Sequence, residues 1–96
     1  MIMGTLVPLQ PPPQYDVLPP IPVVEQVLSQ EQVNKLCLAR YPTAQLGAGE
    51  FIRGCVQFLV TTGTKTCLVY RIDNDLVRRH ELAHCAGWPA DHPGGK

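Results

Sequence analysis

The chain has 96 residues, ten of them proline, and a net charge of zero. A chain of this length makes one small domain that buries only about 60–65% of its unfolded surface, so its core needs reinforcement. Electroneutrality and the lack of a long apolar run exclude the usual electrostatic routes to nucleic acid and anionic membranes, and exclude a membrane span.

The first nine residues are apolar but carry no basic residue and are interrupted by Pro8, so they do not read as a complete signal peptide. Residues 8–22 hold seven of the ten prolines. Such a stretch must run extended or as polyproline II, because its prolines donate nothing to a ladder. Val17, Leu18, Ile21 and Val23 give it apolar positions that can lie along the domain as a strap. The alternatives are a spacer and a ligand for a partner's aromatic groove. The expected organisation is a Pro-rich extended segment over 1–24 and one folded domain over 25–96.

Ser29-Gln30-Glu31-Gln32 is a capping box, and Leu28 before it can staple against Val33. A helix is therefore expected from the Ser29 cap to about Arg40. It must stop before Pro42, which pushes Tyr41 toward extended geometry. Val33, Leu36 and Cys37 form its inward stripe. Gln45 to Gly49 reads as a loop. Phe51–Val60 and Lys65–Ile72 are rich in β-formers and flank Thr61-Thr62-Gly63-Thr64, which predicts an antiparallel hairpin. Within it Gly54 marks a bulge or a close approach.

Cys37, Cys55, Cys67 and Cys85 are even in number, and none stands in a C-x-x-C pair, which favours disulfides over a cysteine zinc knuckle. Two bridges at about 2–4 kcal/mol each are large beside a total stability of about 5–15 kcal/mol. They point to an extracytoplasmic setting, periplasmic or secreted. Three pairings are possible. The hairpin reading brings Cys55 and Cys67 near each other across the ladder.

The last element is a helix capped by Asp73 or Asn74 and stopped by Gly87 and Pro89. It carries His80-Glu81-Leu82-Ala83-His84, an H-E-x-x-H sequence. Residues four apart share a helix face, so both imidazoles can aim at one Zn²⁺. Glu81, one step round, can take the proton of an attacking water instead of binding the metal. Arg79 falls among apolar neighbours and needs a carboxylate or an exposed path. Trp88 reads as a plug beneath the helix end. Tyr41 and Tyr70 read as packing residues.

Through His80-Glu81-x-x-His84-x-x-Gly87 the chain resembles the zincin metallopeptidases, and among them the metzincins. In that group a Gly at this place lets the chain turn back and present a third ligand. The usual position is occupied by Ala90, so His92 or Asp91 takes that part. No Met-turn is present, and no Glu follows Glu81 to serve as a gluzincin ligand. The resemblance implies an α+β fold, a minimal zincin-like domain. It would comprise a backing helix, a small antiparallel hairpin or sheet, an active-site helix and the extended Pro-rich N-terminal segment. A backing helix against the active-site helix would pair Cys37 with Cys85. The implied function is a zinc metallopeptidase, with His80, His84 and His92 on the metal and Glu81 as catalytic base. For Tyr41 and Tyr70 the resemblance adds a second possibility, stabilisation of an oxyanion as by tyrosines of the zincin metallopeptidases. Its substrate would be a peptide or an unfolded protein. The alternative class is a non-catalytic binding module stabilised by zinc and disulfides on a zincin-like core.

Overall fold

A two-residue turn at Thr62-Gly63 organises the centre of the protein, because only a residue at ease with positive φ closes it, and Gly63 adopts φ 72°. In a computed structural model of the chain, which describes residues 2–5, 9–40, 51–90 and 92–95, the turn joins β3 (Gly54–Thr61) to β4 (Thr64–Arg71). The pair is antiparallel, with Thr61 opposite Thr64 and Gly54 opposite Arg71. Two further strands flank it. β1 (Ile2–Thr5) pairs antiparallel with β3, and β2 (Val23–Val27) pairs parallel with β4. The sheet order is β1-β3-β4-β2.

The expected α+β class therefore holds, but the sheet is mixed and not purely antiparallel. The reason lies at the edge. Val23 to Val27 follows directly on Pro22, and an edge strand tolerates a proline at its border because one side of its backbone faces solvent. Pro22 still accepts a hydrogen bond from the amide of Cys67 at 2.9 Å, which starts the parallel ladder. β2 spans residues 24 and 25, so the Pro-rich segment runs straight into the sheet.

α1 (Gln30–Arg40) begins as its capping box requires. Ser29 Oγ accepts from the Gln32 amide, and Gln32 Oε1 accepts from the Ser29 amide, both at 3.1 Å. Val33 and Cys37 are fully buried, and Leu28 and Leu36 pack beside them. Asn34 Oδ1 also accepts from the Ile52 amide at 2.9 Å, which ties the helix to the start of β3. The expected loop over 45–49, and Tyr41 with Pro42, lie outside the described residues.

The sheet lies between its two helices, and this overturns the expected disulfides. Residues directly opposite in an antiparallel pair share a face, and successive residues alternate. Cys55 stands opposite Tyr70 and Cys67 opposite Phe58, three positions apart. An odd offset puts the two cysteines on opposite faces, so they cannot bridge. Instead Cys37–Cys55 fixes α1 to one face, and Cys67–Cys85 fixes α2 (Asp75–Cys85) to the other. Each bridge belongs to its own core. Val33, Cys37, Ile52 and Cys55 form one, and Val56, Cys67, Val69 and Cys85 form the second. A helix backing directly onto α2, and a Cys37–Cys85 bridge with it, are replaced by a helix on each side of the sheet. Among the described residues no helix is long and apolar enough to cross a membrane.

Candidate metal centre

α2 starts on Asn74, whose side chain accepts a hydrogen bond from the Val77 amide at 3.0 Å. It ends in a Schellman motif. The Gly87 amide donates to His84 O and the Trp88 amide to Ala83 O, while Gly87 takes φ 110°. This stop reverses the chain and packs Trp88, 1% exposed, against the helix end. The indole stacks on the His84 ring at 5.1 Å between centroids and donates through Nε1 to Pro93 O at 2.9 Å. The plug expected from the sequence thus also holds the return loop. Within that loop the His92 amide donates to Pro89 O, and His92 adopts φ 57°, a left-handed conformation uncommon outside glycine. The helix and the loop together bring His92 back over His80 and His84.

The three histidines converge on one point. Their Nε2 atoms are 3.2 Å (His80–His84), 3.1 Å (His84–His92) and 3.1 Å (His80–His92) apart. At the far side of two rings, His80 Nδ1 donates to Leu9 O and His84 Nδ1 to Trp88 O, each at 2.8 Å. A carbonyl can only accept, so both Nδ1 atoms carry the proton and both Nε2 atoms present lone pairs. Burial holds His80 below its ordinary pKa, and a neighbouring charged His92 would lower it further. Burial likewise pushes His84 down to about 4, which outweighs its bond to Trp88. Near neutral pH these rings are therefore uncharged, with their lone pairs aimed at each other.

Two lone pairs converging in this way, with a third imidazole nitrogen beside them, suit a cation. Nitrogens at these separations are compatible with Zn–N bonds of about 2.0–2.1 Å, so a zinc ion would be held by the three Nε2 atoms together. His80, His84 and His92 form a group that can hold a metal ion. The carbonyl partners behind two of them are the usual way a metal-binding imidazole is oriented. Asp91, the other candidate third ligand, lies outside the described residues, as does Tyr41.

Glu81 is fully buried on the flank of α2 that faces β3. It fits there because Gly54 has no side chain. A Cβ built on Gly54 would stand 3.2 Å from both Cγ and Oε1 of Glu81. The expected close approach at Gly54 is this one. Arg79 finds its carboxylate in Asp16 of the Pro-rich segment, which explains a residue that its own helix does not. Tyr70 lies on the α1 side of the sheet, under the Arg40 guanidinium, and packs there. Between the hairpin and the return loop, a groove of about 200 Å³ bordered by Phe58, Lys65, Trp88 and Pro89 reaches His84. Leu9 was not foreseeable. Its contribution is a backbone carbonyl, which leaves no mark in residue identity.

Comparison with models of protein families, with curated proteins and with solved structures gave no match.

Proposed function

We propose that the protein is a zinc-dependent hydrolase of peptide bonds, zincin-like in its chemistry, with His80, His84 and His92 as ligands and Glu81 as general base. The observation that carries this reading is the triangle of Nε2 atoms 3.1–3.2 Å on a side, built from three protein ligands among the described residues. Structural zinc sites normally close with four protein ligands, whereas hydrolytic sites keep three and leave a position for water or substrate. Bound zinc would supply Lewis acidity to the attacking water and the scissile carbonyl. The chain's own part is to hold three converging imidazoles and to accept a proton at the carboxylate of Glu81. A carboxylate in the interior costs free energy that a purely structural helix would avoid with an apolar residue. The groove beside His84 gives an extended chain a surface to lie against next to one of the three histidines. Two disulfides fit an oxidising, extracytoplasmic setting.

The near-complete burial of His80 and His84, 0% and 1% exposed, favours a second reading, a closed zinc-stabilised binding module. One set of measurements separates the two. The purified protein should carry about one zinc per chain, and alanine at His80, His84 or His92 should abolish stoichiometric binding. Wild type should cleave an unfolded protein in a chelator-sensitive way. Glu81→Gln should keep its zinc and lose at least about 10²-fold in rate, the scale of a positioned base. Zinc binding without cleavage by wild type would leave the binding module, and a fully active Glu81→Gln would remove Glu81 from the chemistry.

A further inference from the structure

The ligands come from two pieces of chain, α2 and the return loop, and the Pro-rich segment touches both. Leu9 O accepts from His80 Nδ1 at 2.8 Å. Pro11 is buried. Pro12 lies beside Gly94, two residues beyond His92, where a built Cβ would stand 3.6 Å from the proline ring. The amides of Tyr15 and Asp16 fold back onto Pro12 O at 3.0 and 3.2 Å, and this turn delivers Asp16 to Arg79, the neighbour of His80. The Tyr15 ring reaches the space above Gly87, where the helix stops. A passive spacer would have no reason to meet the helix, its stop and the return loop in succession.

Resting on the zinc reading, we propose that residues 9–16 are a working part of the metal centre: the segment orients His80 through Leu9 O, clamps the return loop to α2, and so sets metal affinity. Leu9 O meets His80 on the Nδ1 side of the ring, while the Nε2 of that ring points at the other two histidines. Prolines suit the task, because a chain already restricted to polyproline II loses little freedom on docking. Binding free energies are reciprocal. If docking of the segment strengthens zinc binding, zinc must hold the segment down by the same factor.

The test uses the full chain with both disulfides formed. Replacing the Leu9–Gln10 amide by an ester through chemical synthesis weakens the carbonyl as an acceptor and leaves every side chain in place. Zinc affinity, measured by competition with a chromophoric chelator, should fall about tenfold, the lower end of the scale for losing a partner behind a ligand. An ester between Val17 and Leu18 should leave it unchanged. Asp16→Ala should weaken zinc a few-fold, and Asp16→Arg combined with Arg79→Asp should restore most of that, which general damage to the fold would not do. Zinc should also slow hydrogen exchange at the Tyr15 amide. Native zinc affinity in both the Leu9 ester and Asp16→Ala would overturn this inference while leaving the metal site standing. Absence of zinc binding by wild type would remove both.

Discussion

The two disulfides close loops of the same length, and this gives a controlled test of what each one does. Cys37–Cys55 and Cys67–Cys85 both join residues 18 apart. In the chain-entropy account a loop of about 18 residues restricts the unfolded state by roughly 3 kcal/mol, so removing either bridge should cost about the same. All four cysteines are buried, so the cavity costs of Cys→Ala pairs are also matched. The bridges differ in what they hold. Cys67–Cys85 anchors the last turn of α2, next to His84, whereas Cys37–Cys55 anchors α1 on the opposite face. The double variant Cys37→Ala/Cys55→Ala should therefore lose about 3 kcal/mol by urea denaturation and keep native zinc affinity. Cys67→Ala/Cys85→Ala should lose a similar amount of stability and bind zinc more weakly, because the end of the helix can then shift against the sheet. Affinities are to be measured where the native fraction of each variant exceeds nine-tenths, so that unfolding does not pass for weak binding. Equal loss of zinc affinity in both variants would refute the assignment of one bridge to each face. So would a non-reducing peptide map that joins Cys55 to Cys67.

Three further outcomes follow from single contacts. Gly54→Ala puts a Cβ 3.2 Å from Glu81 and from Tyr70 O; about 1–3 kcal/mol of overpacking is expected. Cleavage should fall further than the unfolded fraction explains, with zinc retained, and normal activity in the folded variant would show that the Glu81 position is not critical. Glu25 is held below the usual carboxylate range by its hydrogen bond to Arg78 first, and also by Arg71. A depressed carboxyl pKa stabilises the fold above the unfolded value near 4.5, and the gain is lost as pH falls through the lower folded value. Glu25→Gln should thus cost at most about 1 kcal/mol at pH 7, since the pair is partly exposed. That difference should shrink as pH falls below 4.5 in paired urea titrations, and one that stayed constant there would point to packing and not charge. Gly87→Ala, at φ 110°, forces a side chain into a region it avoids and should destabilise by about 1–2 kcal/mol in thermal melts. An unchanged melting temperature would contradict the Schellman reading.

What the sequence made legible were the local signals. Ser29 with Gln32, Asn74 with Val77, and Gly87 before Pro89 each act within a few residues, so their hydrogen bonds could be anticipated from residue types alone. His80 and His84 belong to the same class, because helix geometry fixes their spacing, and His92 becomes a partner once Gly87 turns the chain. The faces of the sheet were not legible in this way. Reading Cys55 and Cys67 as neighbours used the hairpin's existence but not its register, and the offset of three between Cys67 and the residue opposite Cys55 decides the matter. β1 and β2 were missed because their pairing is long-range: Ile2 lies opposite Gln57, and Val23 opposite Cys67. Prolines around Val23 made the segment read as an extended strap or spacer and hid the strand within it. Arg79 made the same point in reverse. Its place among apolar neighbours was an anomaly of the helix alone, and its partner, Asp16, was 63 residues away. A charge that its own helix did not explain thus pointed to where the chain's own N-terminal segment docks, and it stands directly beside a histidine of the candidate metal centre.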